Sequence, residues 1–214
     1  MDARYLEDRI AWASNLTARR IGIETDAFRP SGPNDPLSLR NRFLRLHAAF
    51  SASPSGFGQT AAHGNAACYG HFDSAYTRPG DYLVQDGRTF FVAAQEPLQP
   101  VLCIRTNRRL TIRRPVAPAG VGGNAYGGLT QDGTTSVLQN WPASVLGMAT
   151  SGTSHAGLPM DMVLPQWTAL LPSIDRITIA AADLVQDEAG MRGIIVSAEH
   201  SFLGWRMIIR QASP

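Results

Sequence analysis

The chain contains no lysine, because all 19 of its basic residues are arginine. Set against 17 acidic residues, they give a small formal net charge of +2. A GC-rich genome favours arginine codons and is one explanation for this composition. The planar guanidinium group also suits buried and interfacial ion pairs better than the lysine ammonium group does, which is a second explanation.

Cysteine is scarce too, with only Cys68 and Cys103 in 214 residues, too few for a disulfide framework. Cys103 lies in an apolar strand pattern, which predicts a buried thiol. No apolar run approaches the roughly 18 residues of a membrane span, and the first residues lack the charged-then-apolar pattern of a signal peptide. We therefore expect a soluble, unprocessed chain made in a reducing compartment.

One four-residue phrase occurs twice. Leu83-Val84-Gln85-Asp86 recurs letter for letter as Leu184-Val185-Gln186-Asp187. Both copies continue with a turn glycine, a β-prone stretch and a glutamate, and residues 108–114 align without gaps on residues 205–211. Two copies do not make a solenoid. The repetition instead predicts two related β modules on one chain.

The first part of the chain is predicted to be helical, from Ala3 to about Arg20. Its apolar positions recur near the helical period of 3.6 residues and form a stripe: Leu6, Ile10, Ala13 and Leu16, with Tyr5 and Trp12 beside them. Such a stripe is expected to pack against another apolar surface. Either the helix docks on its own β module, or it docks on a neighbouring subunit or partner, with Leu6, Ile10 and Trp12 as candidate contacts.

Proline and glycine divide the remaining sequence. We predict an N-terminal helix and proline-rich arm over residues 1–36, a first β module over 37–115, a glycine-rich linker or loop over 116–133, and a second β module over 134–214. The second module should contain about five short strands. The expected fold is mainly β: an N-terminal α-helix followed by two small β-barrel or β-sandwich modules with long glycine-rich loops.

Three sequence patterns suggest a binding or catalytic site, but each departs from the motif that it resembles. Residues 120–125 match a dinucleotide-binding glycine pattern without the helix that must follow it. Ser154 and His155 are neighbours, but the spacing of a nucleophile elbow is absent. Potential zinc ligands cluster without the spacing of a compact zinc module: His63, Cys68, His71 and Asp73. We expect no catalytic residue, no cofactor and no metal.

Four aspartates recur at turns of the repeat: Asp81, Asp86, Asp183 and Asp187. Asp86 precedes Gly87, and an Asp-Gly pair is a strong signal for a tight hairpin turn. The duplication favours a structural role for these carboxylates, with acid-base chemistry by paired carboxylates as the alternative.

Five arginines fall within ten residues: Arg105, Arg108, Arg109, Arg113 and Arg114. In a strand, Arg109 and Arg113 would share one face, and Arg108 and Arg114 the other. This division and the lack of interleaved aromatic residues argue against a single phosphate-binding or base-stacking stripe. The cluster therefore predicts solvated strand faces and intersubunit ion pairs, or contacts with DNA.

Two stretches resemble tailed-bacteriophage virion proteins of the head-to-tail connector, neck or tail-completion type. One begins at Trp141-Pro142-Ala143-Ser144 and ends in residues 197–206; the other joins residues 79–84 to residues 87–93. The resemblance covers about half of the chain. It implies small β-barrels and a non-enzymatic virion protein, made in the host cytoplasm, that forms a homo-oligomeric ring.

The resemblance also implies partners: portal, adaptor or tail proteins, and non-specific contact with packaged DNA, with no membrane. Two other classes of function remain open. A small virion-associated hydrolase would use the loop around Ser154 and His155 or the residues near His63. A carbohydrate- or host-surface-binding module would need Trp141, Trp167 and Trp205 to be exposed.

Overall fold

The computed structural model describes residues 3–52, 66–116, 133–147 and 165–212. The fold is mainly β with one N-terminal helix, as predicted. Helix α1 spans Ala3–Ile21, and two single-turn 3-10 helices span Leu39–Asn41 and Ser74–Tyr76. Within the described ranges, no helix is long and apolar enough to cross a membrane.

The described ranges contain twelve strands, which form two closed antiparallel barrels of six strands each. The first barrel contains β1 (Ile23–Phe28), β2 (Arg42–Ala52), β3 (Ala67–His71), β4 (Tyr82–Gln85), β5 (Arg88–Ala94) and β6 (Val101–Arg105). The second barrel contains β7 (Arg108–Pro115), β8 (Thr134–Gly147), β9 (Gln166–Leu171), β10 (Leu184–Asp187), β11 (Arg192–Ser201) and β12 (Gly204–Gln211).

Both barrels follow the same strand order. The first runs β1-β2-β3-β6-β5-β4 and the second runs β7-β8-β9-β12-β11-β10, so each strand has a counterpart six strands later. The prediction of an N-terminal helix and two β modules is confirmed, and the modules are barrels. Closure pairs every strand on both sides and leaves neither sheet with a free edge.

The repeated phrase is one residue out of register with the structural repeat. In the first barrel, Ala27 of β1 pairs with Leu83 of β4; in the second, Ile112 of β7 pairs with Val185 of β10. Leu83 therefore corresponds to Val185, and both side chains are buried, whereas Leu184 is only half-buried. A shift of one residue moves a strand side chain to the opposite face of its sheet.

Strand pairing places the boundary between the barrels at residues 106–107. Strand β1 pairs with β2 and β4, so part of the segment assigned to an N-terminal arm belongs to the first barrel. Strand β7 pairs with β8 and β10, so residues 108–115 belong to the second barrel, and the glycine-rich stretch after β7 follows its first strand. The alignment of residues 108–114 on 205–211 thus matches β7 with β12, which are the first and last strands of one barrel.

Strand β5 is apolar at consecutive positions because both of its faces are covered. Phe90 and Val92 pack inside the first barrel. Phe91 and Ala93 point the other way and belong to the core cluster that includes the second barrel. A strand buried on both faces reads as a continuous apolar run rather than an alternating one.

The proline-rich arm and strand β8 join the two barrels. The Trp141 indole Nε1 donates to the carbonyl of Pro33 at 2.9 Å, and the Asn140 amide donates to the Asp35 carboxylate at 2.7 Å. The Tyr82 hydroxyl donates to the carbonyl of Pro142 at 2.8 Å, and its ring meets the fully buried Trp141 ring edge to face. The junction is therefore a packed, hydrogen-bonded interface.

Each barrel contains the same ion pair between a buried carboxylate and a partly exposed arginine, at the same position. In the first, Arg29 donates through Nε and an Nη to both carboxylate oxygens of Asp81, at 2.9 and 2.7 Å. In the second, Arg114 donates in the same way to Asp183, at 2.8 Å for both bonds. Each arginine also donates to a backbone carbonyl, and each carboxylate accepts a backbone N–H three residues upstream. The contacts repeat although little of the surrounding sequence does, beyond the proline that follows each arginine.

Candidate functional site

Helix α1 docks on the first barrel through its small and polar side. Ala18 is fully buried, and the Asn15 amide donates to the Asp73 carboxylate at 3.1 Å. Gly22 follows at a close approach, because a Cβ there would lie 2.8 Å from the carbonyl oxygen of Ala48 in β2. Small residues at this contact allow the helix end to lie directly on the strands.

Four large apolar residues in the first half of α1 are exposed. Leu6 is 37% exposed, Ile10 40% and Trp12 62%, and Tyr5 is exposed as well. We call these four residues the helix face. Leu6 and Ile10 lie one turn apart on one side of the helix, and Tyr5 and Trp12 lie two turns apart on another side. Single exposed apolar residues are ordinary, but such neighbouring pairs are suited to contact a partner. Leu6, Ile10 and Trp12, the predicted contacts, thus lie on the surface of the chain.

A second set of exposed apolar residues lies on the second barrel. It consists of outward residues of β11 and the tip of the β11–β12 hairpin: Ile194, Val196, Phe202 and Leu203. We call it the β11 surface. Ile195, between two of these residues, is buried in the barrel core. The first half of β11 alternates like a strand with one core face, with apolar residues at the outer positions 194 and 196, whereas the exposed positions nearer the hairpin tip are polar.

The predicted arginine cluster is divided by the geometry of β7. Leu110 and Ile112 point into the barrel, so Arg108 and Arg114 share their side of the strand at its two ends. Arg108 pairs with the buried carboxylate of Asp187, as Arg114 does with Asp183. These two arginines are therefore engaged within the chain.

The other members of the cluster lie on the outer side or at the connection. Arg109 is exposed and approaches the Asp35 carboxylate at 3.5 Å. Arg105, at the end of β6, is exposed, and Arg113 is half-buried. Within the described residues, neither Arg105 nor Arg113 forms an ion pair.

A groove of about 660 Å³ lies between the two barrels where β6 leads into β7. Four arginines line it: Arg88, Arg105, Arg108 and Arg109. Glu188 is the one acidic residue among its described lining residues. The sequence cluster missed Arg88, which the Asp86-Gly87 turn brings to the groove; both turn residues have positive φ, as the hairpin prediction requires.

The recurring aspartates have structural contacts. Asp81 and Asp183 hold the repeated ion pairs, and Asp187 accepts from Arg108 and from the N–H groups of Ala189 and Met191. Asp86 occupies the hairpin turn. These partners support the structural role expected from the sequence.

The residues invoked for a hydrolase, His63, Ser154 and His155, and the glycine pattern of 120–125, lie outside the described residues. Elsewhere, Ser51 lies 3.2 Å from His71 and Ser173 lies 3.0 Å from His200, side chain to side chain. Within the described ranges, no carboxylate accepts a hydrogen bond from either imidazole, so neither pair has the third group of a triad. No three described His, Cys, Asp or Glu residues are grouped to hold a metal.

Tryptophan exposure does not fit a carbohydrate-binding module. Trp141 is fully buried and Trp205 is 7% exposed, while Trp167 is half-buried and packs against the core. A sugar-stacking platform needs accessible ring faces, so Trp141 and Trp205 do not provide one.

The two cysteines face each other across β3 and β6. Burial raises the pKa of the Cys68 thiol to about 12 and that of Cys103 well above its ordinary value. Since the thiolate is the reactive form, we expect the native protein at pH 8 to react with a thiol reagent at least about a thousandfold more slowly than the urea-unfolded chain. The native rate should rise with pH up to at least pH 10. The reaction is followed by the absorbance of the reagent. A native rate that stops rising below pH 9 would contradict the argument that burial raises the thiol pKa.

Comparison with protein-family models, with curated proteins and with solved structures finds no match to this chain.

Proposed function

We propose that this chain is a non-enzymatic structural protein of a tailed-phage virion, which assembles into a homo-oligomeric ring at the head-to-tail junction or in the tail. The observation that carries the proposal is the pair of exposed apolar surfaces on different barrels. The helix face belongs to the first barrel and the β11 surface to the second. Two unlike surfaces on one subunit suit head-to-tail contact between copies.

The rigid body between these surfaces supports a ring rather than a flexible chain. A heterologous contact closes into a ring when its rotation divides a full turn, and a fixed angle between the two surfaces sets that rotation. The packed junction around Tyr82 and Trp141 fixes this angle within the subunit. The bacteriophage assignment itself rests on the resemblance in residues 79–93 and 141–206.

Two variants test the head-to-tail contact. Leu6→Gln, Ile10→Gln, Trp12→Gln removes the apolar character of the helix face, and Ile194→Thr, Val196→Thr, Phe202→Ser removes that of the β11 surface. We expect the wild-type chain to form a closed oligomer in light scattering, and each variant alone to be monomeric. Leu39→Gln is the control, because Leu39 is 78% exposed and lies on neither surface.

Mixing the two variants makes the test decisive. Each mixed pair retains one intact contact, so a head-to-tail interface predicts a dimer and nothing larger. If the β11-surface variant associates with itself through its helix face, the contact is two-fold and the ring proposal fails. A wild-type chain that remains monomeric with both surfaces intact also contradicts it.

Electron microscopy of the wild-type oligomer tests the position in the virion. A ring at the junction or in the tail tube requires a central opening that passes a DNA duplex. A compact particle without an opening would argue against that position even if the contact were head to tail.

A further inference from the structure

The groove between the barrels combines an excess of positive charge with a fixed shape. Of its described lining residues, four are arginines and one is a glutamate. Arg88 and Arg105 are exposed, and neither forms an ion pair within the described part of the chain. Their guanidinium groups are therefore available to an anion that enters the groove.

Hydrogen bonds hold the groove's floor in place. The Thr106 backbone N–H and hydroxyl both donate to the carbonyl of Thr89, at 2.9 and 3.0 Å. The Asn107 side chain donates to the Val145 carbonyl and accepts from its N–H, each at 2.8 Å. Arg108 is fixed by the buried Asp187. The arginines thus project from a preorganised connection, which reduces the entropy lost when a ligand binds.

We propose that this groove binds the phosphodiester backbone of a nucleic acid, with Arg88, Arg105 and Arg109 as its phosphate contacts. Guanidinium groups donate bidentate hydrogen bonds to phosphate oxygens. None of the described lining residues is aromatic, so the groove offers no platform for base stacking and reads the backbone rather than the sequence.

A phosphodiester chain suits this arrangement better than an acidic peptide. It carries a charge at every unit and so meets several arginines along one groove, whereas a peptide must supply a run of acidic side chains. The inference concerns a surface separate from the helix face and the β11 surface. It can therefore be tested in a monomer, and the ring proposal can fail without affecting it.

The test uses the full-length chain carrying the helix-face substitutions and a fluorescent DNA duplex of mixed sequence. We expect Arg88→Gln with Arg105→Gln to weaken binding at least about fivefold and to reduce the slope of log K against log salt by about 2. The matched control is Arg40→Gln with Arg78→Gln. It removes the same charge from exposed arginines that have no ion pair among the described residues and precede β2 and β4 at the opposite end of the first barrel. The control should retain most of the affinity.

A third variant acts in the opposite direction. Glu188→Gln removes the acidic charge from the groove lining while keeping an oxygen that can accept the Arg109 N–H, so we expect tighter binding. Three results would overturn the proposal: an equal loss in the control, no change with Glu188→Gln, or displacement of the duplex by polyglutamate as readily as by unlabelled DNA. The last would assign the groove to acidic peptides.

Discussion

Replacing Trp141 by alanine is expected to lower the free energy of unfolding by about 4 kcal/mol, near the upper end for large-to-small core changes. The side chain is fully buried, lies edge to face against Tyr82 and donates to the Pro33 carbonyl. Alanine would leave a cavity at the junction and an unsatisfied acceptor in the arm. Urea denaturation followed by far-UV circular dichroism measures the loss.

Two other substitutions separate the causes. Trp12→Ala, in a side chain that is 62% exposed, should change stability by no more than about 0.5 kcal/mol. Tyr82→Phe removes the hydrogen bond to the Pro142 carbonyl but keeps the ring, and should cost about 1 kcal/mol. If Trp141→Ala costs less than Tyr82→Phe, the junction does not depend on packing in the way described.

Asp81→Ala and Asp183→Ala are each expected to cost about 3 kcal/mol, at the upper end for hydrogen bonds to a charged group. Each carboxylate is almost completely buried, at 1% and 2% exposure, and each accepts two bonds from an arginine and one from a backbone N–H. Alanine removes all of these acceptors at once. Each carboxylate also raises the pKa of its arginine, chiefly through the side-chain hydrogen bond.

The control is an ion pair on the surface. Asp26 accepts from Arg45 at 2.9 Å, but both groups are accessible to water, so Asp26→Ala should cost less than about 1 kcal/mol. The repeated geometry also requires Asp81→Ala and Asp183→Ala to have similar effects. A difference between them larger than about 2 kcal/mol in thermal or chemical unfolding would show that the two pairs are not equivalent in energy.

Local sequence patterns predicted the limits of a helix or strand well where an apolar face or a turn residue marked them. The predicted helix ends within one residue of the observed Ile21, and β8 begins at Thr134, where the second module was predicted to begin. Strand β1 was missed because it is short and followed at once by the proline-rich arm. The repeated letters indicated the correct architecture although their alignment is one residue out of register, because the pairing partners and the ion pairs repeat at an offset different from that of the letters.

Candidate surfaces depend more on the tertiary structure. The apolar stripe of α1 was visible in the sequence, but the sequence did not show whether the stripe faces the barrel or the solvent. The helix contacts the barrel through Ala18 and the close approach at Gly22 rather than through its larger apolar residues. The arginine-lined groove could also not be predicted without the folded structure. Arg88 is 17 residues from Arg105 in sequence, and only the barrel closure and the short connection bring them to one surface.

That short connection has a mechanical consequence. Only Thr106 and Asn107 separate β6 from β7, and the backbone N–H of each is bonded to a strand, one in the first barrel and one in the second. This two-residue connection is too short and too fully hydrogen-bonded to act as a hinge. A force applied to helix α1 would therefore rotate both barrels together as one rigid body, instead of changing the angle between them.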